Sequence, residues 1–484
     1  MDVETKKKMN IGKILGIDLG TTNSVITLYD ADKQEYIPIP SKEGNSLVPS
    51  VFYFRDSVIK VGDKAREEIK AYPESVIQSV KSKMDTPSYT YILENAKLIA
   101  GEYKEAKLTP IDISAYILKY IKKCADEYVG EPIKDVVITV PAYFREIERK
   151  ATKRAAEKAG LNVVEIINEP TAACLAYGYA NHAEDGMKRI LVYDFGGGTF
   201  DVTLLNMSPE IYEVIKSGGD KIGGDDIDKA LLDYIKKKVD IGEATDKQAK
   251  FICEEAKKEL SYEGKTELDF SKYGGGSITL TVTQFNRIIT PIIDKTLTIV
   301  KNLMEGESDI DEVVLVGGST RIPLIRKKLI EMFNLPKDYF DKYKVDPDKA
   351  VSIGACIRGR ILLGDTDIIL LDRTSYDLGI ELDDGRLDPI IKRGSIIPTQ
   401  GDDIYRATEN SNGHLKFKVY QGNDPMARNN QYLGEIDIEV DKTLLSMASF
   451  RVTFLLDVSG VLTVEVMDLI SREKWEAKVS GVIN

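Results

Sequence analysis

Hydrophobic residues along this chain recur with two different spacings, and the change between them divides the sequence. Up to about residue 364, short apolar runs alternate with longer amphipathic stretches, which predicts the strands and helices of an α/β region. Further on, segments such as 415–420 and 451–455 alternate apolar and polar residues and are separated by turn residues. This second pattern is typical of an all-β sandwich or barrel.

Individual elements can be placed from the same pattern. We predict a strand over 135–140 that Pro141 ends, and helices over 145–160, 171–179, 227–239, 246–260 and 282–304. Pro291 marks a kink or a join in the last of these helices. Between the two regions, residues 367–372 have the sequence Asp-Ile-Ile-Leu-Leu-Asp. Spacing alone fits equally a buried strand and an apolar linker that docks and undocks.

Two segments carry the same short pattern. Residues 17–24 are Ile-Asp-Leu-Gly-Thr-Thr-Asn-Ser, residues 193–201 are Tyr-Asp-Phe-Gly-Gly-Gly-Thr-Phe-Asp, and apolar runs flank both. Such a turn between two strands offers backbone N–H groups and hydroxyls to an anion, and the preceding Asp can hold a hydrated metal ion. Their separation predicts two related domains that close on one polyphosphate. A third glycine turn, residues 317–321, follows a predicted buried strand over 313–316.

Composition narrows the classes of function. The chain of 484 residues is 43% hydrophobic and 30% charged, and its net charge of −12 argues against nucleic acid as the main partner. No run of about 18 apolar residues occurs, so we expect no membrane partner. The four cysteines lie far apart and only two histidines occur, so we expect reduced core thiols in a cytoplasmic protein. Neither a P-loop nor a dinucleotide fingerprint is present.

Together these segments resemble those of the Hsp70 chaperones of the DnaK type. The resemblance covers residues 12–484 and also includes 138–144 (Ile-Thr-Val-Pro-Ala-Tyr-Phe), 167–173 (Ile-Asn-Glu-Pro-Thr-Ala-Ala) and 379–381. It implies a flexible N-terminus over 1–12, an actin-like two-lobed ATPase domain over 13–364, an apolar linker over 365–372 and a β-sandwich peptide-binding domain over 373–484. Relatives continue into a helical lid, and both a natural lidless form and a shortened chain remain open.

The resemblance implies roles for particular residues. Lys81, Glu169, Thr199, Asp18 and Asp194 are expected at the catalytic centre, and Asp18, Asp194 and Asp201 around Mg²⁺ and its waters. Lys83 competes with Lys81 for the γ-phosphate, because the residues around Lys81 match the family less well. The expected nucleotide contacts are Gly20, Thr21, Thr22, Asn23, Gly196, Gly197, Gly198, Thr199, Glu254, Lys257, Lys258, Ser261, Gly317, Gly318, Ser319, Arg321 and Asp348. The implied cofactors are ATP or ADP and Mg²⁺, with K⁺ as an additional candidate.

Further residues are implied in coupling and in peptide binding. Pro141 and Arg149 match a pair linked to signalling between domains, and Ile368, Ile369, Leu370, Leu371 and Asp372 form the linker. The expected peptide-binding residues are Ile380, Asp383, Tyr405, Thr408 and Leu415. Asp383 and Thr408 stand where DnaK has a Met and an Ala that arch over the peptide. A carboxylate there is costly to desolvate, so we expect peptides that place Lys or Arg beside an apolar residue.

The implied function is ATP-driven binding and release of extended apolar peptides by a monomer. The implied partners are unfolded peptides, a J-domain co-chaperone and a GrpE-type nucleotide exchange factor. Glu165 stands where DnaK has an arginine that meets the J-domain, so either that partnership is in doubt or the J-protein carries a different charge. Two other functions remain open: an ATP-gated interaction module with a fixed partner, and a small-molecule kinase on the same fold. A kinase would have no use for the C-terminal β-region.

Overall fold

The structure is a computed structural model. It describes residues 14–86, 88–93, 106–181, 186–307, 309–342, 345–406, 414–439 and 448–477. The predictions for the N-terminal segment 1–12 and for Thr408 lie outside the described residues.

The described residues form strands and helices in the following order along the chain. The strands are β1 (Ile14–Leu19), β2 (Asn23–Asp30), β3 (Glu35–Pro38), β4 (Val48–Pro49), β5 (Phe52–Arg55), β6 (Val58–Val61), β7 (Val76–Ile77), β8 (Tyr91–Leu93), β9 (Ala106–Leu108), β10 (Asp135–Val140), β11 (Asn162–Asn168), β12 (Lys188–Phe195), β13 (Phe200–Met207), β14 (Ile211–Asp220), β15 (Lys265–Asp269), β16 (Ser277–Thr281), β17 (Glu312–Val316), β18 (Ile369–Arg373), β19 (Asp377–Glu381), β20 (Leu387–Ile391), β21 (Ile396–Ile397), β22 (Thr399–Arg406), β23 (His414–Gly422), β24 (Gln431–Glu439), β25 (Ser449–Leu456), β26 (Leu462–Asp468) and β27 (Lys474–Ala477). The α-helices are α1 (Asp63–Glu67), α2 (Pro110–Val129), α3 (Glu146–Lys158), α4 (Glu169–Asn181), α5 (Gly224–Ile235), α6 (Asp246–Glu259), α7 (Val282–Met304), α8 (Pro323–Phe333) and α9 (Ala350–Leu362).

Two large sheets repeat one arrangement. In the first, the strand order is β11-β10-β1-β2-β3, with β4 also paired to β2, and in the second it is β17-β12-β13-β14-β18-β21. The glycine turns join β1 to β2 and β12 to β13, which are antiparallel pairs. On its other side β1 pairs in parallel with β10, and β12 pairs in parallel with β17. The repeated order agrees with the two related units predicted from the repeated motif.

The two sheets are joined through a pair of helices. α4 and α9 lie in a buried cluster that also holds Ile14 and Val137 of the first sheet and Ile190 and Val314 of the second. The helices cross closely: a Cβ at Gly354 would lie 1.7 Å from the Ala172 carbonyl oxygen. Only glycine permits this approach, so the crossing fixes how the two sheets face one another.

The C-terminal strands form two antiparallel four-stranded sheets, β20-β19-β23-β24 and β22-β25-β26-β27. Alternate residues of both sheets enter one apolar cluster, as Val419 and Ile438 of the first and Phe450 and Val464 of the second illustrate. This is the alternation expected when one face of each sheet is buried and the other is solvated. The change from α/β to all-β texture after residue 364 is therefore confirmed.

The predicted helices exist with shifted ends. The helix predicted over 227–239 spans 224–235, because Ile235 is the last residue of its buried face and lysines follow. The helix over 282–304 is continuous, and Pro291 neither divides nor ends it, since a stripe from Phe285 to Val300 stays buried along its length. All four cysteines are buried and free. No helix in the described ranges combines the length and apolarity needed to cross a membrane.

Candidate nucleotide site

The two glycine turns meet at the base of a cleft. The β1–β2 turn carries Gly20, Thr21 and Thr22, and the β12–β13 turn carries residues 196–199. They touch directly: a Cβ at Gly197 would lie 1.8 Å from the Thr22 hydroxyl oxygen, so a larger residue there would displace the Thr22 side chain. The cleft above them encloses about 930 Å³. This volume falls within the range of small-molecule and cofactor sites.

Acidic side chains gather beside these turns. Asp18 and Asp194 are the penultimate residues of equivalent strands, β1 and β12. Asp201 pairs opposite Asp194 in the β12–β13 ladder, and Glu169 begins α4. Glu169, Asp194 and Asp201 are buried. Burial, followed by the charge of Glu169, raises the pKa of Asp18 to about 7 and that of Asp194 well above its usual value. The site therefore contains more carboxyl groups than can be ionised together without a nearby cation.

Lys81 supplies part of that positive charge. It is buried in the cleft and forms an ion pair with Glu169. Burial alone would lower its pKa, but Glu169 and Asp18 outweigh that effect and raise it. Lys83, the competing candidate, is exposed and lies over the ring of Tyr89. The structure thus places Lys81 and not Lys83 among the acidic groups, although the contact with phosphate itself stays a prediction.

The donor set fits a cation held through water. In the described part of the chain, no three acidic, histidine or cysteine side chains converge tightly enough to chelate an ion directly. Asp201 accepts from the Ala142 N–H at 3.0 Å through Oδ1, while its buried Oδ2 has no hydrogen-bond partner. Asp18 Oδ1 accepts from the Thr139 hydroxyl at 3.2 Å. Carboxylates with free oxygen atoms suit hydrated Mg²⁺, which keeps several of its waters.

The residues predicted to contact the nucleoside line the upper part of the same cleft. Lys257 donates to Asp228 at 2.8 Å and to the Gly224 carbonyl at 3.1 Å. Ser261 was predicted on the helix face of Glu254 and Lys257. However, α6 ends at Glu259, so Ser261 lies in the following turn, where its hydroxyl donates to the Lys257 carbonyl. It still lines the cleft.

The third glycine turn closes the opposite wall. Gly317 adopts φ 82°, a conformation that favours glycine. Gly318 lies against Asp348, since a Cβ on it would be 2.9 Å from Oδ1 of that residue. Arg321 donates to Asp348 at 2.6 Å and to Asp346 at 2.7 Å. The guanidinium is therefore held in a fixed direction at the edge of the cleft.

Sequence reasoning missed a group of contacts that cross the cleft. Arg66 on α1 donates to Glu254 at 2.9 Å and to Glu255 at 2.7 Å on α6. Ser79 donates to Asp225 at 2.6 Å. The partners lie 146 or more positions apart along the chain, so no local pattern indicates them. Because these contacts link the two walls, they hold the cleft closed.

Comparison with known proteins places this geometry in a family. A model of the Hsp70 protein family matches residues 14–482. The chain belongs to the Hsp70 family. Hsp70 proteins are chaperones and ATPases that bind ATP or ADP with Mg²⁺, and they act on peptides with the help of co-chaperones. The resemblance noted from the motifs is thereby confirmed.

In this Hsp70 protein the predicted linker is part of a sheet. Residues 369–371 pair in parallel with 211–213 of β14, so the linker adds a strand to the second large sheet. Ile368 and Leu370 pack against the buried cluster around α4 and α9, whereas Ile369 faces away and is 52% exposed. The segment was predicted to be either a strand or a linker that docks and undocks. The two alternatives are compatible, because the segment forms a strand by docking against β14.

Further contacts fasten the β-region to the ATPase lobes. Asp372 accepts from Asn168 at 2.8 Å, and burial raises its pKa while the nearby Arg149 opposes that rise. Arg149 donates to the Ser459 carbonyl at 3.3 Å and also to Asn168. Glu146 at the start of α3 accepts from the Leu462 N–H at 3.0 Å. Pro141 is buried two residues beyond Thr139. Of the predicted interdomain residues, Arg149 and Asp372 thus share Asn168 as a hydrogen-bond partner.

Glu165 does not lie on the surface as a free charge. It is 3% exposed and forms a two-pronged ion pair with Arg358, with N–O distances of 2.8 and 3.0 Å. Burial raises its pKa, and Arg358 opposes that rise. Its carboxylate is therefore already bound within the chain, and both alternatives for a J-domain partner stay predictions.

The peptide-binding candidates are divided between core and surface. Ile380 is buried, and Tyr405 and Leu415 pack against the same core. The Tyr405 hydroxyl donates to Asp388 at 2.8 Å. Asp383 lies in the exposed turn between β19 and β20. The Asp383 carboxylate is therefore solvated in this structure, and its effect on a bound peptide stays a prediction.

Proposed function

We propose that this protein is an ATP-dependent chaperone in which slow ATP hydrolysis controls the binding and release of extended apolar peptides. The observation that carries the proposal is the pairing of β18 with β14. Through it, the strand that leads to the β-region belongs to the same sheet as Asp194 and Asp201 of the nucleotide cleft. A change at the cleft can therefore alter how firmly the β-region is held.

The cleft residues suggest how hydrolysis proceeds. When the γ-phosphate enters, Lys81 exchanges its pairing with Glu169 for the phosphate oxygens and offsets charge that spreads there in the transition state. Glu169 is then free to orient a water for attack on phosphorus. The Thr199 hydroxyl and the Gly196–Gly198 amides bind the phosphate chain. Mg²⁺, when bound, neutralises phosphate charge beside Asp18, Asp194 and Asp201.

Peptide binding is assigned to the β-region. A peptide that pairs its backbone with strand edges and places an apolar side chain against Tyr405 and Leu415 would bind by strand addition. While the linker is docked, the β-region binds the peptide weakly. Hydrolysis releases the linker and raises the affinity of the β-region for the peptide.

One pair of experiments tests the proposal. The purified protein should hydrolyse ATP in a Mg²⁺-dependent reaction, and Thr199→Ala should slow it by roughly 10² to 10³ while nucleotide stays bound. A fluorescent extended apolar peptide should bind more tightly with ADP than with ATP. Faster phosphorylation of a sugar than of water would instead identify a small-molecule kinase.

A second candidate, an ATP-gated module with one dedicated partner, is favoured by the acidic turn at Asp383 and Asp384. Because these carboxylates are solvated, we expect only a modest preference for peptides with Lys or Arg beside an apolar residue, and a stronger one at low salt. A peptide array with the parent and with Asp383→Met tests this. Binding of one folded partner with no array signal would support the dedicated module.

We further propose a J-domain co-chaperone and a GrpE-type exchange factor as partners. Glu165 reverses the charge found in DnaK, but Arg358 neutralises this carboxylate within the chain. The charge reversal is therefore a weaker argument against a J-domain partner than the sequence alone suggested. Stimulation of ATPase activity by a J-domain, compared between the parent and Glu165→Gln, tests this. Equal stimulation of both would show that Glu165 does not select the partner.

A further inference from the structure

The turn after α6 places an aromatic ring at the mouth of the nucleotide cleft. Tyr262 lines the cleft, yet 74% of its surface is exposed. Its own N–H donates to the Glu259 carbonyl at 3.0 Å, and the Ser261 N–H donates to the Lys258 carbonyl at 3.1 Å. These two hydrogen bonds fix the backbone of the turn. Single exposed aromatic residues are common on protein surfaces, but this one lies where a ligand can cover it.

Two other long side chains on this wall of the cleft are already engaged. Lys258, four positions before Tyr262, forms an ion pair with Glu254 at 2.8 Å, so its charge is held on α6 itself. Phe251 also lines the cleft, but its ring packs against a buried cluster around β5 and α1. In addition, the Arg66 guanidinium lies 5.3 Å from the centre of that ring. Of these three side chains, only Tyr262 presents a flat face that is uncovered.

Arg321 presents a second flat surface on the opposite wall. Its Nε and Nη2 atoms both donate to Asp348, at 2.8 and 2.6 Å, so the plane of the guanidinium is fixed. Burial lowers the pKa of Arg321, but Asp348 and Asp346 outweigh that effect and raise it, with a smaller contribution from Tyr262. The Tyr262 hydroxyl therefore lies near the guanidinium. Because a guanidinium also stacks on aromatic faces, the two side chains offer complementary surfaces to a planar ligand.

We propose that Tyr262 is a specificity-determining residue whose ring stacks on one face of the nucleotide base while Arg321 covers the other face. A purine, with two fused rings, overlaps more of both surfaces than a pyrimidine, so the pair selects purine nucleotides and slows the release of ADP. Tyr262 is not among the contacts that the family resemblance implies. The inference rests on the proposed ATP-dependent function and deepens it by naming the class of base and a residue that selects it.

The test measures the affinities of the full chain for ADP and for CDP, both with Mg²⁺, by calorimetry. Tyr262→Ser removes the ring, and Tyr262→Phe keeps the ring but removes the hydroxyl. Tyr128→Ser is the matched control, because Tyr128 is 38% exposed on α2, outside the described lining of the cleft. We expect Tyr262→Ser to weaken ADP binding roughly fivefold to 150-fold and CDP binding less than about threefold. Tyr262→Phe and Tyr128→Ser should bind both nucleotides like the parent.

A second measurement detects the stacked base directly. The fluorescence of 2-aminopurine falls when the base stacks on an aromatic ring, so the diphosphate of 2-aminopurine riboside should be quenched by the parent and by Tyr262→Phe, and less by Tyr262→Ser. Parent-like ADP affinity in Tyr262→Ser, equal weakening of ADP and CDP, or equal weakening in Tyr262→Phe and Tyr262→Ser would overturn the inference and leave the proposed function intact. If the parent binds neither ADP nor ATP, the proposed function and the inference fail together.

Discussion

The docked linker offers the sharpest quantitative prediction, because its neighbouring side chains have opposite environments. Leu370 packs against the buried cluster of α4 and α9, whereas Ile369, one position earlier, is 52% exposed. Both residues pair their backbone with β14, at Tyr212 and Ile211 respectively. Leu370→Asp should therefore release the linker, whereas Ile369→Asp should leave it docked.

The size of the effect follows from burial. Full burial of a leucine side chain is worth about 1.5–3 kcal/mol, and Leu370 is partly buried, so its loss costs roughly 1–2 kcal/mol. Placing a carboxylate against the apolar cluster adds roughly 1–3 kcal/mol. A total of about 3 kcal/mol shifts the docking equilibrium more than 100-fold. Ile369→Asp should change it less than about threefold, since that side chain is already half in water.

The assay is limited proteolysis at the linker with ATP and with ADP. The parent and Ile369→Asp should be protected by ATP, and Leu370→Asp should be cut at the same rate in both nucleotides. Thermal unfolding of each variant checks that the lobes stay folded. Protection of Leu370→Asp by ATP, or equal loss of protection in both variants, would refute the assignment of inward and outward faces.

Three further predictions concern the cleft. Lys81→Ala should slow ATP hydrolysis by roughly 10² to 10³ and leave nucleotide binding intact, whereas Lys83→Ala should keep parent turnover, both measured as single-turnover rates. Burial and Glu169 raise the pKa of Asp18 to about 7 from 3.8, so the folded nucleotide-free protein retains a proton that the unfolded chain loses. Its stability should therefore fall as pH rises from about 4 to 7, and Asp18→Asn should flatten that fall by about 2 kcal/mol in denaturant titrations at pH 5 and 7. Arg66→Ala should speed ADP release about fivefold in stopped flow, because a bridge worth about 1 kcal/mol is lost, while Lys64→Ala, whose partner Glu43 lies in the same lobe, should not.

Much of the nucleotide site could be predicted because its parts are local. Each of the first two glycine turns and its preceding Asp lie within nine consecutive residues, and the flanking apolar runs identify the strands on either side. The sequence alone did not separate Lys81 from Lys83, since two lysines two residues apart differ only in which one the short turn over 80–83 directs inward. Burial separates them, and burial depends on the packing of distant elements.

The contacts between elements could not be predicted in the same way. Arg66 meets Glu254 across 188 positions, and Glu165 meets Arg358 across 193. A single charged residue on a helix or strand gives no signal of its partner, because most such residues are solvated. For Glu165 the charge was visible in the sequence, but its ion pair with Arg358 was not.

The position of the linker within the fold gives the final step of the reasoning. β13 carries Asp201, which pairs with Gly219 of β14, and the other end of β14 pairs with β18. One strand therefore has the phosphate-site neighbour at one end and the linker at the other. Hydrogen-bonded strands move together more readily than they separate, so a shift of the second lobe around bound phosphate must reach the edge where the linker pairs. In the opposite direction, loss of β18 exposes the edge of β14.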